Sequence, residues 1–569
     1  MRLPGFALGL AVLSVSCSSS APSTTQQAAS TVQQPRIPIG QLPDVDTNAV
    51  LAHTRTLSSD EFEGRLPGSR GEERTVTYLV DQFRRAGLKP GNTDGTYIQK
   101  VPLVGITGAP APLVVKSETK NDQQTFKWHD DVVAWTRHVA PSARIDGSEL
   151  VFVGYGVVAP EYGWDDYKGV DVRGKTIVML VNDPPVPDPS KPNELDPKMF
   201  GGKAMTYYGR WTYKYDIAAE KGAAGALVIH ETGPAGYPFQ IVQDGFTGER
   251  FDLVTPDRNM GKAAVEGWLS LDAAKRLLQM AGQDFDKLKQ EAATRDFKPV
   301  PLGLTASTEI QNKLRTVDSR NVLAKIDGAD PAHAGEFVVY TAHWDHFGKR
   351  DGMVFHGAED DALGCASLIE IARSFMKLPT PPRRSILFMA VTAEEQGLLG
   401  SEYYTVMPIY PLAKTLADIN LDSWNPWGRT TDLAITGYGA SELDDYVRNA
   451  AAEQGRTVHG EAEPEKGFYY RSDHFNFAKQ GVPALDANDG VNEYIGKPAD
   501  YGQKMRDDWT ENRYHKPADM VLPTWDMTGI REDLKVYFAV GYRVAEADKY
   551  PEWRAGNEFK AKRDAMLQK

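Results

Sequence analysis

The chain has 569 residues, 25% of them charged and 41% hydrophobic, with a formal net charge of -13. That length exceeds one ordinary core, so about two to four domains are expected, and the composition is that of a globular protein. The acidic balance and the lack of any lysine and arginine cluster exclude nucleic acid as a partner, since phosphate binding needs clustered positive charge.

At the N-terminus, Arg2 precedes an apolar run from Phe6 to Val15, too short to span a bilayer and typical of a secretory signal. The run ends in Leu13, Ser14, Val15, Ser16, Cys17, which resembles the bacterial lipobox with the leucine one place further from the cysteine than usual. Residues 1–17 therefore read as a lipoprotein-type signal, with cleavage before Cys17 and a lipid on Cys17 as the membrane anchor. The expected location is a bacterial cell envelope, periplasmic or outer-membrane-attached; a conventional signal cut nearby would instead secrete the protein. Residues 18–45, opening SSSAPSTTQQ, read as a flexible polar tether. The one other cysteine, Cys365, reads as a small buried residue.

Val76, Leu79, Val80 and Phe83 give one apolar helical face, stopping near Gly87. Glu61, Glu63 and Arg65 in the preceding LSSDEFEGRLPGSRGEE either approach substrate or are solvated. From 126 to 304 the pattern changes to short apolar runs separated by glycine turns, with a helix, a turn and a strand in KYDIAAEKGAAGALVIHE. Tyr207, Tyr208, Trp211 and Tyr213 cluster there, either as packing residues or as part of a lid.

In the C-terminal half, apolar runs at 337–342, 385–392 and 416–421 read as buried strands, and 481–487 as a further one. Leu368, Ile371, Ala372 and Phe375 form a helical face between the first two, and Leu443, Val447, Ala450 and Ala451 form another that stops at Gly455. Alternating strands and helices predict an α/β fold, a mixed mostly parallel sheet sandwiched by helices. Ligands of such sheets gather at the carboxyl ends of strands, and there the chain places His343, Asp360, Glu394 with Glu395, and Asp422, followed later by His515. Two imidazoles, three carboxylates and a spare glutamate are the inventory of a two-zinc hydrolase. Of the eleven histidines only these two are assigned to metal; His346 and His356, flanking the first two segments, either line the cleft or are structural.

The segments TAHWDH, GAEDD, AVTAEEQG, NLDSW and RYHKPAD occur in the order found in the M28 family of zinc peptidases, which the chain resembles over nearly all of its length past the leader. The resemblance implies a zinc-exopeptidase, phosphorylase/hydrolase-like α/β fold, divided here as 46–125 and 305–569 for the catalytic domain, with 126–304 as an inserted, β-rich protease-associated domain. It implies two zinc ions per chain, His343 and Asp422 on one, Glu395 and His515 on the other, and Asp360 bridging, although a shift to Asp361 stays open. Glu394 becomes the general base and Tyr514 the phenol facing the developing oxyanion. Asp345 would orient His343 from behind, and Arg471, Asp473 and His474 would support the site or touch substrate. Where the family has Asp-Asp-Asn-Ala-Ser-Gly this chain reads Glu359, Asp360, Asp361, Ala362, Leu363, Gly364. After Asp422, Trp424 and Trp427 suggest an aromatic wall.

The expected activity is that of an exported exopeptidase on peptide substrates, releasing N-terminal residues by a hydroxide bridging the two zincs. A glutamate-carboxypeptidase-like activity is the alternative, marked by arginines at the site such as Arg210, Arg471 or Arg513. A non-catalytic binding protein on the same fold is the reading from a different class.

Overall fold

The computed structural model describes residues 37–487 and 491–568. Cys17 and most of the expected tether lie outside them. Residues 37–45 correct the tether's end: Ile39, Leu42 and Val45 are buried, and Lys535 Nζ donates to the Leu42 carbonyl at 2.7 Å. These apolar side chains have a core to join.

Helix α1 (Thr47–Leu57) starts where Asp46 accepts from the backbone N–H groups of Asn48 and Ala49, and α2 (Arg70–Arg85) where Ser69 does the same for Gly71 and Glu72. Strand β1 (Ile98–Pro110) then leads into a second region with its own core. That region holds β2 (Thr176–Leu180), α3 (Trp211–Glu220), β3 (Gly225–Ile229) and β4 (Val265–Leu269), the three strands parallel in the order β2-β3-β4. Its apolar cluster runs from Leu113 to Ile310, so it takes in more chain on both sides than the expected 126–304. Tyr207, Tyr208 and Trp211 pack against this cluster and Tyr213 is part of it, which favours packing over a lid.

The long strand β5 (Val300–Ile326) joins the regions, pairing with β1 over residues 310–322 and, over 322–326, with a strand of the second sheet. That sheet continues with β6 (Phe337–His343), α4 (Leu363–Met376), β7 (Ser385–Val391), β8 (Thr415–Asn420), α5 (Leu443–Glu453) and β9 (Ala484–Ala487). Its order begins β5-β7-β6-β8-β9, with β5 antiparallel and these others parallel, and a strand at 432–436 then borders β9 antiparallel. All seven residues of β6 and of β7 are buried, as both faces being covered by helices requires. After β9 come α6 (Tyr501–Asn512) and α7 (Thr528–Glu546), the latter packing with α4 in the main apolar cluster. The expected mixed α/β sheet between helices is the observed one. Among the described residues no helix is long and apolar enough to cross a membrane.

Candidate metal centre

Parallel strands end side by side, and four side chains follow from that fact. His343 is the last residue of β6, Glu394 and Glu395 lie just past β7, and Asp422 lies two residues past β8. Asp360 arrives from the segment before α4, and His515 from the loop after α6.

The distances bring these together. His343 Nε2 lies 3.0 Å from Asp360 Oδ1, 3.6 Å from Asp422 Oδ1 and 3.9 Å from Glu394 Oε2. His515 Nε2 lies 3.3 Å from Asp360 Oδ2 and 3.1 Å from Glu395 Oε2. Asp360 thus offers one carboxylate oxygen to each imidazole. Asp361, the open alternative, has its oxygens engaged by backbone: Oδ2 accepts from His343 N at 3.1 Å and Oδ1 from Gly364 N at 2.9 Å. It nonetheless sits close enough to share a cation-sized space with His343 and Asp422, while His346, Asp360 and Glu395 define a second such group.

The donor set fits divalent cations. Imidazole nitrogens and carboxylate oxygens converge on two points, and the buried His343 Nε2 and Glu395 Oε1, although 3.0 Å from Asp360 and 2.5 Å from His346, make neither contact with hydrogen-bond geometry. Such orphaned atoms are costly unless something else meets them. Without a cation the charges settle among themselves. Burial opposes charge on His515, but Glu395 and Asp360 outweigh it and hold the imidazole at about 10. Burial likewise opposes ionisation of Glu395, yet His515 and His346 pull it down to about 2. Glu394 is pushed well above the ordinary carboxylate range by burial and by Asp422 and Glu395 beside it.

Several expected roles change on inspection. The Asp345 carboxylate is 3.8 Å from His343 Nδ1, and the closer acceptor is the Asp345 main-chain oxygen at 3.2 Å. The carboxylate instead accepts from the backbone N–H of Glu394 at 3.0 Å, so it fixes the base's loop. Asp473 and His474 are fully buried, which excludes substrate contact. Asp473 accepts from Ser401 Oγ at 2.5 Å, and the His474 ring lies against Tyr469. Trp424 and Trp427 are buried too, Trp424 against Tyr537, and form no exposed wall. Tyr514 is 40% exposed and stacks on His515 with ring centroids 3.7 Å apart.

Arg471 reaches Lys466 O at 2.7 Å and covers the Phe468 ring. Arg210 comes from the second region and has no ion pair among the described residues. Burial and the charge of Arg471 draw it down to about 10. Arg513 is committed to Asp508 at 2.9 Å.

Other residues support the site beyond those the sequence assigns to it. His346 Nδ1 lies 2.5 Å from Glu395 Oε1, in contact with a candidate ligand rather than remote from it; its place three residues after His343 was the available signal. Ser472 Oγ donates to Asp422 Oδ2 at 2.5 Å and accepts from Asn420 Nδ2 at 2.7 Å. Asp519 accepts from the backbone N–H groups of Glu359 and Asp360 at 2.9 and 3.2 Å. Cys365 is buried, its thiol donating to the His343 carbonyl.

Parallel strands with imidazole and carboxylate clusters at their carboxyl ends define an α/β protein with a candidate two-cation centre. Residues 321–538 match the family described as Peptidase family M28. Aminopeptidase NAALADL1 of Mus musculus is 39% identical over 127 residues, 21% of this chain and 16% of the mouse protein. A vacuolar membrane protease of Lodderomyces elongisporus is 26% identical over 195 residues, 33% of this chain and 18% of that protein. The chain thus spans less than a fifth of the length of these curated relatives. Among solved structures, an aminopeptidase from Aneurinibacillus sp. strain AM-1 aligns over 89% of this chain and 96% of its own, at 19% identity and a TM-score of 0.47.

Proposed function

We propose that this protein is a zinc-dependent exopeptidase that releases N-terminal residues from peptides. The observation that carries the reading is the position of Asp360, within 3.0 Å of His343 and 3.3 Å of His515 on opposite oxygens. In this reading His343 and Asp422 hold one zinc, Glu395 and His515 the other, and Asp360 lies between. Two zinc ions, when bound, would supply an acidified water and polarise the scissile carbonyl. Glu394 accepts the proton of the attacking water and returns it to the leaving amine, a task suited to a carboxylate whose affinity for protons burial has raised. The Tyr514 hydroxyl donates to the carbonyl oxygen as negative charge develops there. Asp345 holds the Glu394 backbone in place, and Ser472 steadies Asp422. The name of the mouse relative, an aminopeptidase, supports the choice of terminus.

A carboxypeptidase reading is favoured by one observation: the charge of Arg471 acts on Arg210, and among the described residues neither guanidinium has a carboxylate ion pair. Two such guanidiniums suit a substrate's free carboxylate. Metal analysis with parallel assays on amino-acid nitroanilides and N-blocked dipeptides separates the readings. Turnover of free-amine substrates alone selects the aminopeptidase, and turnover of N-blocked dipeptides selects the carboxypeptidase. A protein with neither zinc nor turnover is a binding protein on this fold.

The region from Leu113 to Ile310 is proposed to be a protease-associated domain beside the cleft. Export and lipid attachment at Cys17 belong to the same proposal and are tested by metabolic labelling with a fatty acid, which Cys17→Ser should abolish.

A further inference from the structure

Arg65 makes contacts unlike those of an ordinary buried arginine. Its side chain is fully buried, and its hydrogen bonds run to four main-chain carbonyls rather than to a carboxylate. Nε donates to Trp344 O at 2.8 Å; Nη1 donates to Leu57 O at 2.9 Å and His356 O at 2.7 Å; Nη2 donates to Gly357 O at 2.7 Å. Trp344 sits between His343 and Asp345, and Gly357 stands three residues before Asp360. One guanidinium therefore ties the end of α1 to the two loops that present His343 and Asp360. The backbone follows the same path: Gly348 N donates to Gly64 O at 2.8 Å, and Phe355 N to Gly348 O at 2.9 Å. A Cβ at Gly64 would collide with the carbonyl oxygens of Gly348 and Phe355, so this close approach requires glycine.

We infer that Arg65 is a positioning residue that pre-sets the His343 and Asp360 loops for metal uptake, before any cation arrives. Two physical points support this. The planar fork can serve carbonyls that lie in different directions, whereas a lysine's single ammonium cannot reach them all. With no carboxylate in contact, its positive charge is left to act on the acidic cluster nearby, with Asp519, Asp361 and Asp345 within its field. A role in fold stability alone would concern neither metal affinity nor the order of these loops without metal. The inference rests on the metal-site reading above.

The test uses the full chain as Arg65→Lys and Arg65→Gln, stripped of metal and titrated with zinc against a chromophoric chelator. The expected result is a metal-free thermal midpoint for Arg65→Lys within a few degrees of wild type, with zinc affinity reduced roughly 10- to 100-fold, as for other groups that orient metal ligands. Wild-type zinc affinity in a folded Arg65→Lys protein overturns the clamp while leaving the metal site intact. A wild-type chain that binds no zinc overturns the metal-site reading itself. If neither variant accumulates in folded form, hydrogen exchange on the metal-free wild-type chain decides. The clamp predicts that the amides of Gly348 and Phe355 stay protected without zinc; exchange at solvent rates beside a protected β6 makes the cation, not Arg65, the organiser.

Discussion

Glu394→Gln separates the proton carrier from the metal ligands. Glu394 Oε2 lies 3.9 Å from His343 Nε2, and the residue belongs to neither close group of candidate ligands. The amide keeps its shape and its backbone anchor on Asp345, so zinc content should stay at the wild-type level. The carboxylate's attraction to a unit positive charge at 3.9 Å is about 4 kcal/mol at an effective dielectric near 20. Loss of a general base costs about 10²- to 10⁴-fold in rate, or about 3–5 kcal/mol, which is the same order. The assay is kcat on an amino-acid nitroanilide at saturating zinc, alongside elemental analysis of the same sample. The expected outcome is full zinc and kcat down by at least about 100-fold. Near wild-type kcat refutes the role, and a loss of kcat that tracks loss of zinc makes Glu394 a ligand instead.

Further outcomes are expected elsewhere. His515→Ala should remove about one zinc per chain, whereas His346→Ala should leave both sites filled but weaker, as elemental analysis and zinc titration can distinguish. Glu266 is buried with one carboxylate oxygen unpartnered, and burial raises it to about 7. A carboxyl raised on folding leaves stability intact below its unfolded value and erodes it as pH climbs toward 7, by about 3 kcal/mol in full. Glu266→Gln should therefore raise the melting temperature at pH 8 and flatten its fall between pH 4.5 and 7; an unchanged pH profile contradicts this. Arg210→Met should raise KM for substrates bearing a free carboxylate nearby and spare uncharged ones, read from paired kinetics. Equal effects on both substrate types would remove Arg210 from substrate binding.

Where a residue's role follows from its place on a strand, the sequence was readable. The apolar run 337–342 extends by one residue to His343 in the structure, so the strand's end and the candidate ligand coincide. The same logic located Glu394, Glu395 and Asp422. Residues acting through the main chain left no such trace. Arg65 and Asp519 both bind backbone groups, which every residue has, so nothing in the pattern names their partners. Asp345 shows the limit of analogy: its spacing from His343 suited a carboxylate contact, but the local turn aims the carboxylate at the Glu394 N–H. Trp424 and Trp427 read as cleft residues because they follow Asp422, yet aromatic surface this large favours burial, and both are buried. The edge of the second region has no mark in the sequence for a related reason, since β5 is one strand that serves both cores and carries no turn signal at the junction.

The central claim is that His343, Asp360, Glu395, Asp422 and His515 surround a pair of cations. Crystals grown with zinc and measured at its absorption edge test it directly. The expected result is two anomalous peaks about 3.5–4 Å apart, one on each side of the Asp360 carboxylate. A single peak, or peaks that leave Asp360 uncoordinated, would contradict it.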